Sequence, residues 1–382
     1  MNTIHTPRYI QIIDALRNIR EQRRITQVKL AKRLKQHQSY VAKVEVFERR
    51  LDIIELMDWL ACLDYEPLQF FQDIGWFSSD GNTIPLPIKG QVKEHDDGVL
   101  QQLIWQGQIK EVLLTGIKVN DYLRVEEKVS KLFASLNLPK SKRKNREVIT
   151  DALEYAICEL PNLNPSDIYQ HVIYRLYIRE YNRSKPEQSW ARSGGEALEL
   201  FIERHYSSVL SSHNITIKAL ISREEKTKAV EEMELTGQIG KSKLDIVLYG
   251  NVGKKRVIFG AIHSKASLAE RVSDDVPCSR AMMKKGFTSI LYTFDSKSFP
   301  PPQGDLINRG ELGSNNQSSD KRIYIEEDGD FDACFSYNTR TNPSNKITPS
   351  GKKIYASSLK RDEDPLPNFL VQCWNNYAKK PT

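Results

Sequence analysis

The chain has 382 residues, of which 39% are hydrophobic, 27% charged and 9% aromatic, a composition typical of a soluble globular protein rather than a disordered or fibrous one. Its five cysteines form no C-x-x-C pair, it has no run of eighteen apolar residues, and its first residues lack a signal-peptide pattern, so we expect no zinc knuckle, disulfide framework or membrane segment, and a cytoplasmic location. The net charge of +7 weakly favours a polyanionic partner.

The length of the chain favours two domains. Residues 7 to about 75 carry apolar residues at helical spacing in YIQIIDALRNI, VKLAKRL and IIELMDWLACL. Gly, Pro and Ser in SSDGNTIPLPIKG then break the pattern. We therefore predict an all-α domain at 1–80, a linker at 81–98 and a second domain at 99–382.

The segment TQVKLAKRLKQHQSYVAKVEVFERR has the spacing of a helix-turn-helix. Thr26 is a suitable N-cap for a helix over 26–34, and a second helix is predicted from about Gln38. One face of the pair is apolar and is predicted to be buried: Leu30, Ala31, Leu34, Val41 and Val44. The exposed side and the first helix's N-terminus are predicted to contact a major groove and a phosphate through Gln27, Gln38, Ser39, Tyr40 and Lys43.

Residues 10 to 65 resemble the Cro/C1 repressor-like family through the pattern TQ…LA…QSYV…E. The family's turn glycine is Lys35 here, which costs about 1 kcal/mol if that position needs a positive φ. Its small apolar turn residue is Gln36, and the glycine after the recognition helix is Phe47. The resemblance implies a DNA-binding module; the alternative is a helical interaction or dimerisation module without DNA contacts.

The second domain begins with helical periodicity over 99–185, interrupted by LPKSKRKNRE at 138–147, a phosphate-contacting or solvated basic loop. Between 214 and 300 four short runs rich in Ile, Val, Phe and Tyr predict the strands of one sheet: ITIKALIS, KLDIVLYG, KRVIFGAIHSK and FTSILYTFD. The tail after 300 is rich in turn formers and carries only short apolar segments. The predicted fold class is therefore α+β or α/β.

A metal-dependent phosphodiesterase needs carboxylates to hold Mg²⁺ and a cation near the attacking water. In WARSGGEALELFIERHY the residues Glu196, Glu199 and Glu203 share one helix face, a pattern that is also typical of a solvated surface. Asp245 begins a strand, either as a solvent-facing end or as a metal ligand. Lys265 follows twenty positions later in an apolar run, where a lysine is costly unless it has a partner. Antiparallel neighbouring strands would bring Asp245 and Lys265 together.

The order of these residues along the chain, a helix acid, then a strand acid, then a strand lysine, resembles the motif of the PD-(D/E)XK nuclease superfamily. SWARSGGEALELFIERHY and AIHSKASLAERVSDDVP resemble type II restriction endonucleases of the ApaLI-like family, with the BsaWI/AgeI-like group as the alternative. The resemblance covers about residues 150–315, with a catalytic core at about 185–315, and implies a central mixed sheet flanked by helices. By this resemblance, Asp245 matches the metal-binding aspartate and Lys265 the motif lysine.

The resemblance also has a departure, because His263 stands where the commonest motif has an acid two positions before the lysine. The missing carboxylate is expected from the preceding helix, with Glu199 favoured over Glu196. In the implied mechanism Asp245 and this glutamate bind Mg²⁺, and Lys265 orients the water or stabilises the developing charge. His263 points to the same side as Lys265 by strand alternation, and either binds the metal or merely fills the position.

Charged residues just past the strand lysine are candidates for base contacts. Glu270 and Arg271 are predicted to begin a helix that continues through Asp275 to Arg280. Arg can bond to guanine and Glu can accept from cytosine in the major groove. We therefore predict Glu270, Arg271 and Arg280 as DNA-binding residues; the alternative is an ordinary charged helix start.

The predicted function is Mg²⁺-dependent cleavage of double-stranded DNA at a short palindrome by a bacterial homodimer, without a small-molecule cofactor. The rival is a helix-turn-helix transcriptional regulator whose larger domain is a sensor or an inactive nuclease fold. A third possibility is a nuclease whose N-terminal module regulates its own gene. A sensor would have a closed apolar pocket where the enzyme needs Asp245, Lys265 and a helix glutamate.

Overall fold

The structure is a computed structural model. It describes residues 7–76, 91–105, 108–138, 143–182, 185–240, 244–253, 255–268, 272–296, 306–314 and 317–379. The chain divides into two compact units, Met1–Lys93 with Leu100–Glu111 and Glu94–Val99 with Val112–Thr382. No helix of the described residues has the length and apolar character needed to cross a membrane.

The first unit begins with five helices, α1 (Pro7–Gln22), α2 (Gln27–Arg33), α3 (Gln38–Glu45), α4 (Ile53–Cys62) and α5 (Pro67–Asp73). Thr26 caps α2 as predicted, because its side chain accepts a hydrogen bond from the Lys29 amide. The predicted buried face is confirmed: Leu30, Ala31, Val41 and Val44 are buried, and Leu34 packs partly buried against the same core. The sequence therefore determines this helical region well.

Four positions in this region adopt the left-handed conformation without glycine: Arg24, Lys35, Phe47 and Asp64. Lys35, between α2 and α3, has φ 54°, and Phe47, just after α3, has φ 62°. These are the positions at which the Cro/C1 pattern has glycine. A non-glycine residue in this conformation costs roughly 1–2 kcal/mol, so packing elsewhere in the helices must offset the strain.

A small sheet follows where the sequence predicted a linker and then helix. Its strands are β1 (Gln91–His95), β2 (Gly98–Trp105) and β3 (Gln108–Thr115), in the order β1-β2-β3. The predicted helical periodicity is wrong for residues 99–105 and 108–115, because apolar runs as short as VLQQLIW and EVLLT do not distinguish a strand from a buried helix. The linker prediction is wrong for 91–95, and residues 81–90 lie outside the described part of the chain. The proposed domain boundaries remain a prediction.

The helices of the second unit surround its sheet. They are α6 (Val119–Ser135), α7 (Asn145–Glu159), α8 (Pro165–Asp167), α9 (Tyr174–Glu180), α10 (Pro186–Ser211), α11 (Arg223–Glu232), α12 (Val272–Lys284), α13 (Asp320–Glu326) and α14 (Leu366–Ala378), with a π-helical turn at Ile168–Ile173. Helix α10 packs on α7 and against the sheet, and α12 packs against a neighbouring strand.

The main sheet has six strands and is mixed, as predicted. The strands are β4 (Ile215–Ala219), β5 (Ile246–Val252), β6 (Lys255–Lys265), β7 (Thr288–Thr293), β10 (Ala333–Ser336) and β11 (Lys353–Ala356), in the order β11-β10-β7-β6-β5-β4. A two-stranded ribbon, β8 (Gly313–Ser314) with β9 (Gln317–Ser318), lies apart from it. The pairs β4/β5 and β5/β6 are antiparallel, and the other pairs are parallel. The four strands predicted between 214 and 300 are confirmed.

The C-terminal tail completes the fold, although its sequence predicted only turns and short apolar segments. β10 and β11 extend the sheet beyond β7. The buried Tyr206 hydroxyl of α10 donates to Asp364 at 2.5 Å and lies 2.7 Å from the Tyr337 hydroxyl. A Cβ atom at Gly250 in β5 would overlap the ring of Trp374 in α14. Tyr337, Asp364 and Trp374 of this tail therefore pack directly onto α10 and β5, the elements that carry or adjoin Glu199 and Asp245.

Candidate active site

Asp245 and Lys265 meet at one end of the central sheet. Asp245 directly precedes β5, Lys265 is the last residue of β6, and Ile246 pairs with Ile262 in the antiparallel register. The Oδ2 atom of Asp245 accepts hydrogen bonds from the Ser264 amide at 3.0 Å and from Nζ of Lys265 at 3.4 Å. The structure therefore places Asp245 beside Lys265, as the sequence predicts.

Two helices add charged groups that the sequence analysis did not assign to this site. Lys226 of α11 lies with Nζ 3.7 Å from Oδ1 of Asp245. Asp275 of α12 is buried, and its Oδ2 lies 2.7 Å from Nζ of Lys265. Burial works to lower the pKa of Lys265, but the charges of Asp245 and Asp275 outweigh it and raise that pKa above its usual value. Lys265 is therefore held as a cation.

One local signal could have identified Lys226. Ser222 and Glu225 form a capping box at the start of α11, and this motif directly follows the strand run ITIKALIS. Ala219, at the end of β4, pairs with Ile246 at the start of β5. A helix that starts there begins at the same end of the sheet as Asp245. Asp275 has no comparable signal, because its position depends on how α12 packs.

Glu199 is the helix carboxylate that faces this cluster. It is buried on α10, and its Oε2 atom has no hydrogen-bond partner among the described residues. Burial first, and then the charge of Asp245, raise its pKa to about 8, while Lys226 and Lys265 act in the opposite direction. Glu199 therefore lies within electrostatic reach of the three charged groups, as the favoured choice of the sequence analysis requires.

Glu196 has different partners. It lies one helical turn before Glu199 and pairs with Arg146 at 2.9 Å and with Arg192 at 3.6 Å. Its carboxylate is thus engaged by cations of α7 and α10. Of the two glutamates considered from the sequence, Glu199 is the one with a free buried oxygen beside Asp245.

His263 lies in the interior of the protein rather than in the cluster of charges. Its ring is fully buried and meets Phe331 edge-on, with 5.7 Å between ring centroids. The neighbouring buried side chains on this side of β6 are apolar ones such as Leu291. This environment is that of a core residue, and the suggested contact with a metal remains an untested prediction.

The carboxylates fit a divalent cation. Within the described residues no three His, Cys, Asp or Glu side chains are grouped closely enough to hold a metal by themselves. Mg²⁺, however, is commonly bound by one or two carboxylates together with water and substrate phosphates. The unpartnered Glu199 oxygen and the adjacent Asp245 carboxylate offer this donor set. The charged lining is also unlike the closed apolar pocket expected of a sensor.

The predicted base contacts are only partly described. Arg280 lies on α12 with its side chain 61% exposed, and its Nε donates to the buried Asp330 at 2.5 Å. Glu270 and Arg271 lie outside the described residues. The Arg280 guanidinium is thus exposed, while its Nε is held in place by Asp330.

Four of the five DNA-contact residues predicted in the first unit line up on its surface. Gln27 is half-buried, while Gln38, Ser39 and Lys43 are exposed. Gln38 donates from Nε2 to Oε1 of Gln27 at 2.7 Å, and Gln27 donates to Oε2 of Glu45 at 2.8 Å. The hydrogen bond between Gln38 and Gln27 therefore joins the N-terminal ends of α3 and α2, while Glu45, which accepts from Gln27, is the last residue of α3.

Tyr40 is the exception, and its predicted exposure is wrong. It is buried, its hydroxyl accepts from Nε1 of Trp59 at 3.3 Å, and the Arg49 guanidinium lies 4.2 Å from its ring centroid. The reason is helical geometry: Tyr40 stands four residues before the buried Val44 and so lies on the same face of α3.

Known proteins resemble this chain over most of its length. A family described as BsaWI restriction endonuclease type 2 matches residues 222–363. The type II restriction enzyme AgeI of Thalassovita gelatinovora is 44% identical over 272 residues, which are 70% of this chain and 96% of that protein. The crystal structure of the specific AgeI–DNA complex is similar with a TM-score of 0.66 and 43% identity, covering 71% of this chain and 98% of that chain.

A crystal structure of a pre-specific BsaWI–DNA complex is more distant, with a TM-score of 0.36 and 19% identity over 68% of this chain and 95% of that chain; no inference is drawn from it. The matched relatives form the group that the sequence analysis gave as the alternative to the ApaLI-like family. The family match includes Lys226, Asp245, Lys265 and Asp275, and it extends to residue 363, well past the predicted end of the catalytic core at 315.

Proposed function

Because the chain belongs to the AgeI/BsaWI-like group of type II restriction endonucleases, enzymes that cleave DNA at specific sites, we propose that it hydrolyses double-stranded DNA with Mg²⁺ at a short palindrome. One observation carries the assignment of the site: Nζ of Lys265 lies 3.4 Å from Oδ2 of Asp245, beside the buried Glu199. These are the metal-binding and water-orienting groups that phosphodiester hydrolysis needs.

Each side chain has a role that follows from its position. Asp245 and Glu199 would hold the cation. When bound, Mg²⁺ supplies charge that polarises a phosphoryl oxygen and makes the attacking water more acidic. Lys265 orients that water and stabilises the charge that develops on the phosphate. The water oxygen bonds to phosphorus and gives up a proton to the surrounding solvent, one P–O ester bond breaks and its leaving oxygen takes up a proton from solvent, and Asp275 keeps Lys265 charged and in place during this step.

The helices α2 and α3 form a Cro/C1-type helix-turn-helix in this proposal. Support comes from the Thr26 cap, the positive φ of Lys35 at the turn and the hydrogen bond between Gln27 and Gln38. The exposed Ser39 and Lys43 are then available to DNA. An interaction module without DNA contacts predicts no change in DNA affinity when Gln38 and Lys43 are replaced, and this difference separates the two possibilities.

Target recognition is assigned to residues beyond Lys265. We expect Arg280 to form a hydrogen bond with a base or a phosphate, because its guanidinium is exposed while the ion pair with Asp330 holds its Nε in place. Glu270 and Arg271 remain candidates from the sequence. A palindromic target implies two active sites related by a two-fold axis, and hence a homodimer on DNA. The mass of the protein–DNA complex in solution tests this, since one protein chain per duplex would contradict it.

Plasmid cleavage is the decisive test of the function. The protein is incubated with plasmid in the presence of Mg²⁺, with parallel reactions in a chelator and with Lys265→Ala. Discrete fragments that require both the metal and Lys265 support a restriction enzyme. An intact plasmid under all conditions would contradict the proposal and would favour the transcriptional regulator.

A further inference from the structure

A basic cavity lies where the first turns of α7 and α10 come together. Its volume is about 470 Å³, and four cationic side chains line it: Lys144, Arg146, Lys185 and Arg192. Glu196 is the carboxylate in this lining. A concave surface with this balance of charge attracts an anion more strongly than a flat solvated face does, because several cations act on one point.

The carboxylates of the described residues do not neutralise all the positive charge of the cavity. Glu196 is paired with Arg146 and Arg192, so it accounts for no more than part of their charge. Lys144 and Lys185 are exposed, and no carboxylate in the described ranges forms an ion pair with either of them. Two lysines at the rim therefore remain available to an external anion.

The floor of the cavity is held in a fixed geometry. Asn145 donates to the Tyr177 hydroxyl at 2.8 Å and to Oγ of Ser189 at 3.0 Å, and these two hydroxyls lie 2.7 Å apart. This network ties the first turn of α7 to the first turn of α10. No side chain caps the 26-residue helix α10, so its N-terminal amides and its dipole also favour an anion at this point.

The cavity adjoins the proposed active site. Glu196, in its lining, precedes Glu199 by three residues on α10, which is about 4.5 Å along a helix axis. The charge of Glu196 also contributes to the raised pKa of Glu199. A DNA strand whose scissile phosphate lies at Glu199 and Asp245 would thus bring its next phosphate towards this cavity.

We infer that the basic cavity between α7 and α10 binds the DNA backbone phosphate that neighbours the scissile phosphate on the cleaved strand. This site rests on the proposed function, since it assumes that the scissile phosphate lies at Asp245. A phosphate bound in this cavity positions the DNA strand and does not contribute to base recognition. The sequence LPKSKRKNRE, which supplies Lys144 and Arg146, is in this view a phosphate contact.

The test uses the full chain, without metal, and duplexes that carry one uncharged methylphosphonate at successive positions around the cleavage site. The pocket variant is Lys144→Gln/Lys185→Gln. The matched control, Lys128→Gln/Lys284→Gln, removes two exposed lysines of α6 and α12 that lie outside the cavity. For the pocket variant we expect roughly tenfold weaker binding and a salt slope smaller by about one.

The decisive result is whether the loss of DNA affinity caused by neutralising the phosphate depends on the two lysines of the cavity. Neutralising the phosphate next to the scissile one should weaken binding of the wild type and the control but not weaken the pocket variant further. An equal loss in all three proteins at every position would overturn the inference. A wild type that cleaves plasmid but shows no coupled phosphate refutes this site alone, whereas a wild type that neither binds nor cleaves duplex DNA refutes the proposed function itself.

Discussion

The ammonium group of Lys265 lies 2.7 Å from Oδ2 of Asp275, a carboxylate that comes from helix α12 and not from either strand of the catalytic motif. Asp275 is buried, and with Asp245 it raises the pKa of Lys265 against the effect of burial. In the proposed mechanism Asp275 is therefore a positioning residue, which acts on the reaction through Lys265.

Replacing Asp275 with Asn keeps the shape of the side chain and removes its charge. We expect single-turnover cleavage to slow by about ten- to a hundredfold. The pKa of Lys265 should fall, so the rate should decline at a lower pH on the alkaline side than it does for the wild type. Rates measured between pH 6 and 10 test this. The control is Asp274→Asn, an exposed neighbour on the same turn; identical profiles for the two variants would contradict the role of Asp275.

Replacing either motif residue should separate binding from cleavage. Asp245→Ala or Lys265→Ala should abolish cleavage and leave DNA affinity within a few-fold, because both side chains act on the scissile phosphate and not on the bases. Gel-shift and cleavage assays on the same duplex measure the two quantities. Lys284→Ala on the exposed end of α12 serves as the control. Retained cleavage in either motif variant would remove that residue from the catalytic assignment.

The raised pKa of Glu199 makes stability depend on pH. The unfolded carboxyl ionises near its ordinary value of 4.5, whereas in the metal-free native protein burial and Asp245 raise the pKa to about 8. The native state therefore holds a proton that the unfolded state has lost, so its stability falls as pH rises from about 4.5 to 8. The side-chain amide of the Glu199→Gln variant cannot ionise, so this variant lacks the pH-dependent change in stability.

Melting temperatures of the two proteins in a chelator, between pH 5 and 9, test this prediction. The wild type should lose stability relative to Glu199→Gln as the pH rises, while exposed Glu231→Gln should follow the wild type. Mg²⁺ binding to the wild type should tighten over the same range, because a carboxylate ligand must be deprotonated. Parallel curves for the wild type and Glu199→Gln would refute the buried, protonated state of this residue.

Deleting residues 1–80 should weaken DNA binding and leave the cleaved sequence unchanged, because the predicted base contacts beyond Lys265 remain. The dependence of affinity on salt should also become flatter as phosphate contacts are lost. Sequencing of the fragment ends and binding titrations at several salt concentrations measure both effects. If the truncated protein cuts at new sites, the N-terminal helices take part in target choice, and Gln38, Ser39 and Lys43 become the first residues to replace.

Lys35→Gly should stabilise the N-terminal helices. Lys35 is exposed and has φ 54°, so glycine removes strain of about 1 kcal/mol, part of which the greater freedom of the unfolded chain offsets. Lys32→Gly, in the last turn of α2, is the control and should destabilise by up to about 1 kcal/mol. Hydrogen exchange of the α2 and α3 amides reports the difference. Equal destabilisation by both substitutions would contradict the strain at Lys35.

The parts of the fold that sequence predicted are those with strong local patterns. The strands β4 to β7 are rich in β-branched and aromatic residues, and the antiparallel step between β5 and β6 was enough to place Asp245 beside Lys265. The Thr26 cap and the buried Leu30 and Val41 followed from helical spacing. Tyr40 is predicted on the exposed face of its helix together with Gln38 and Ser39, but its spacing of four residues from the buried Val44 places it on the buried face.

The missed features depend on contacts that no local pattern contains. β10 and β11 have four residues each, too few to display alternation; β10 is a strand because β7 offers it a partner, and β11 because β10 does. Asp275 reaches the site through the packing of α12; Lys226 is the exception, because the capping box at the start of α11 is a local signal for it. β2 and β3 were mistaken for helix because short apolar runs fit both structures.

The late position of β10, β11 and α14 in the sequence has a consequence for synthesis in the cell. All the residues proposed for catalysis have left the ribosome before these elements are made, yet Tyr337, Asp364 and Trp374 pack on the helix and strand that hold them. The N-terminal helices rely on local contacts and can fold while translation continues. A nascent chain would therefore lack a finished sheet until β10, β11 and α14 have emerged, and we expect a product truncated before β10 to lack the proposed cleavage activity.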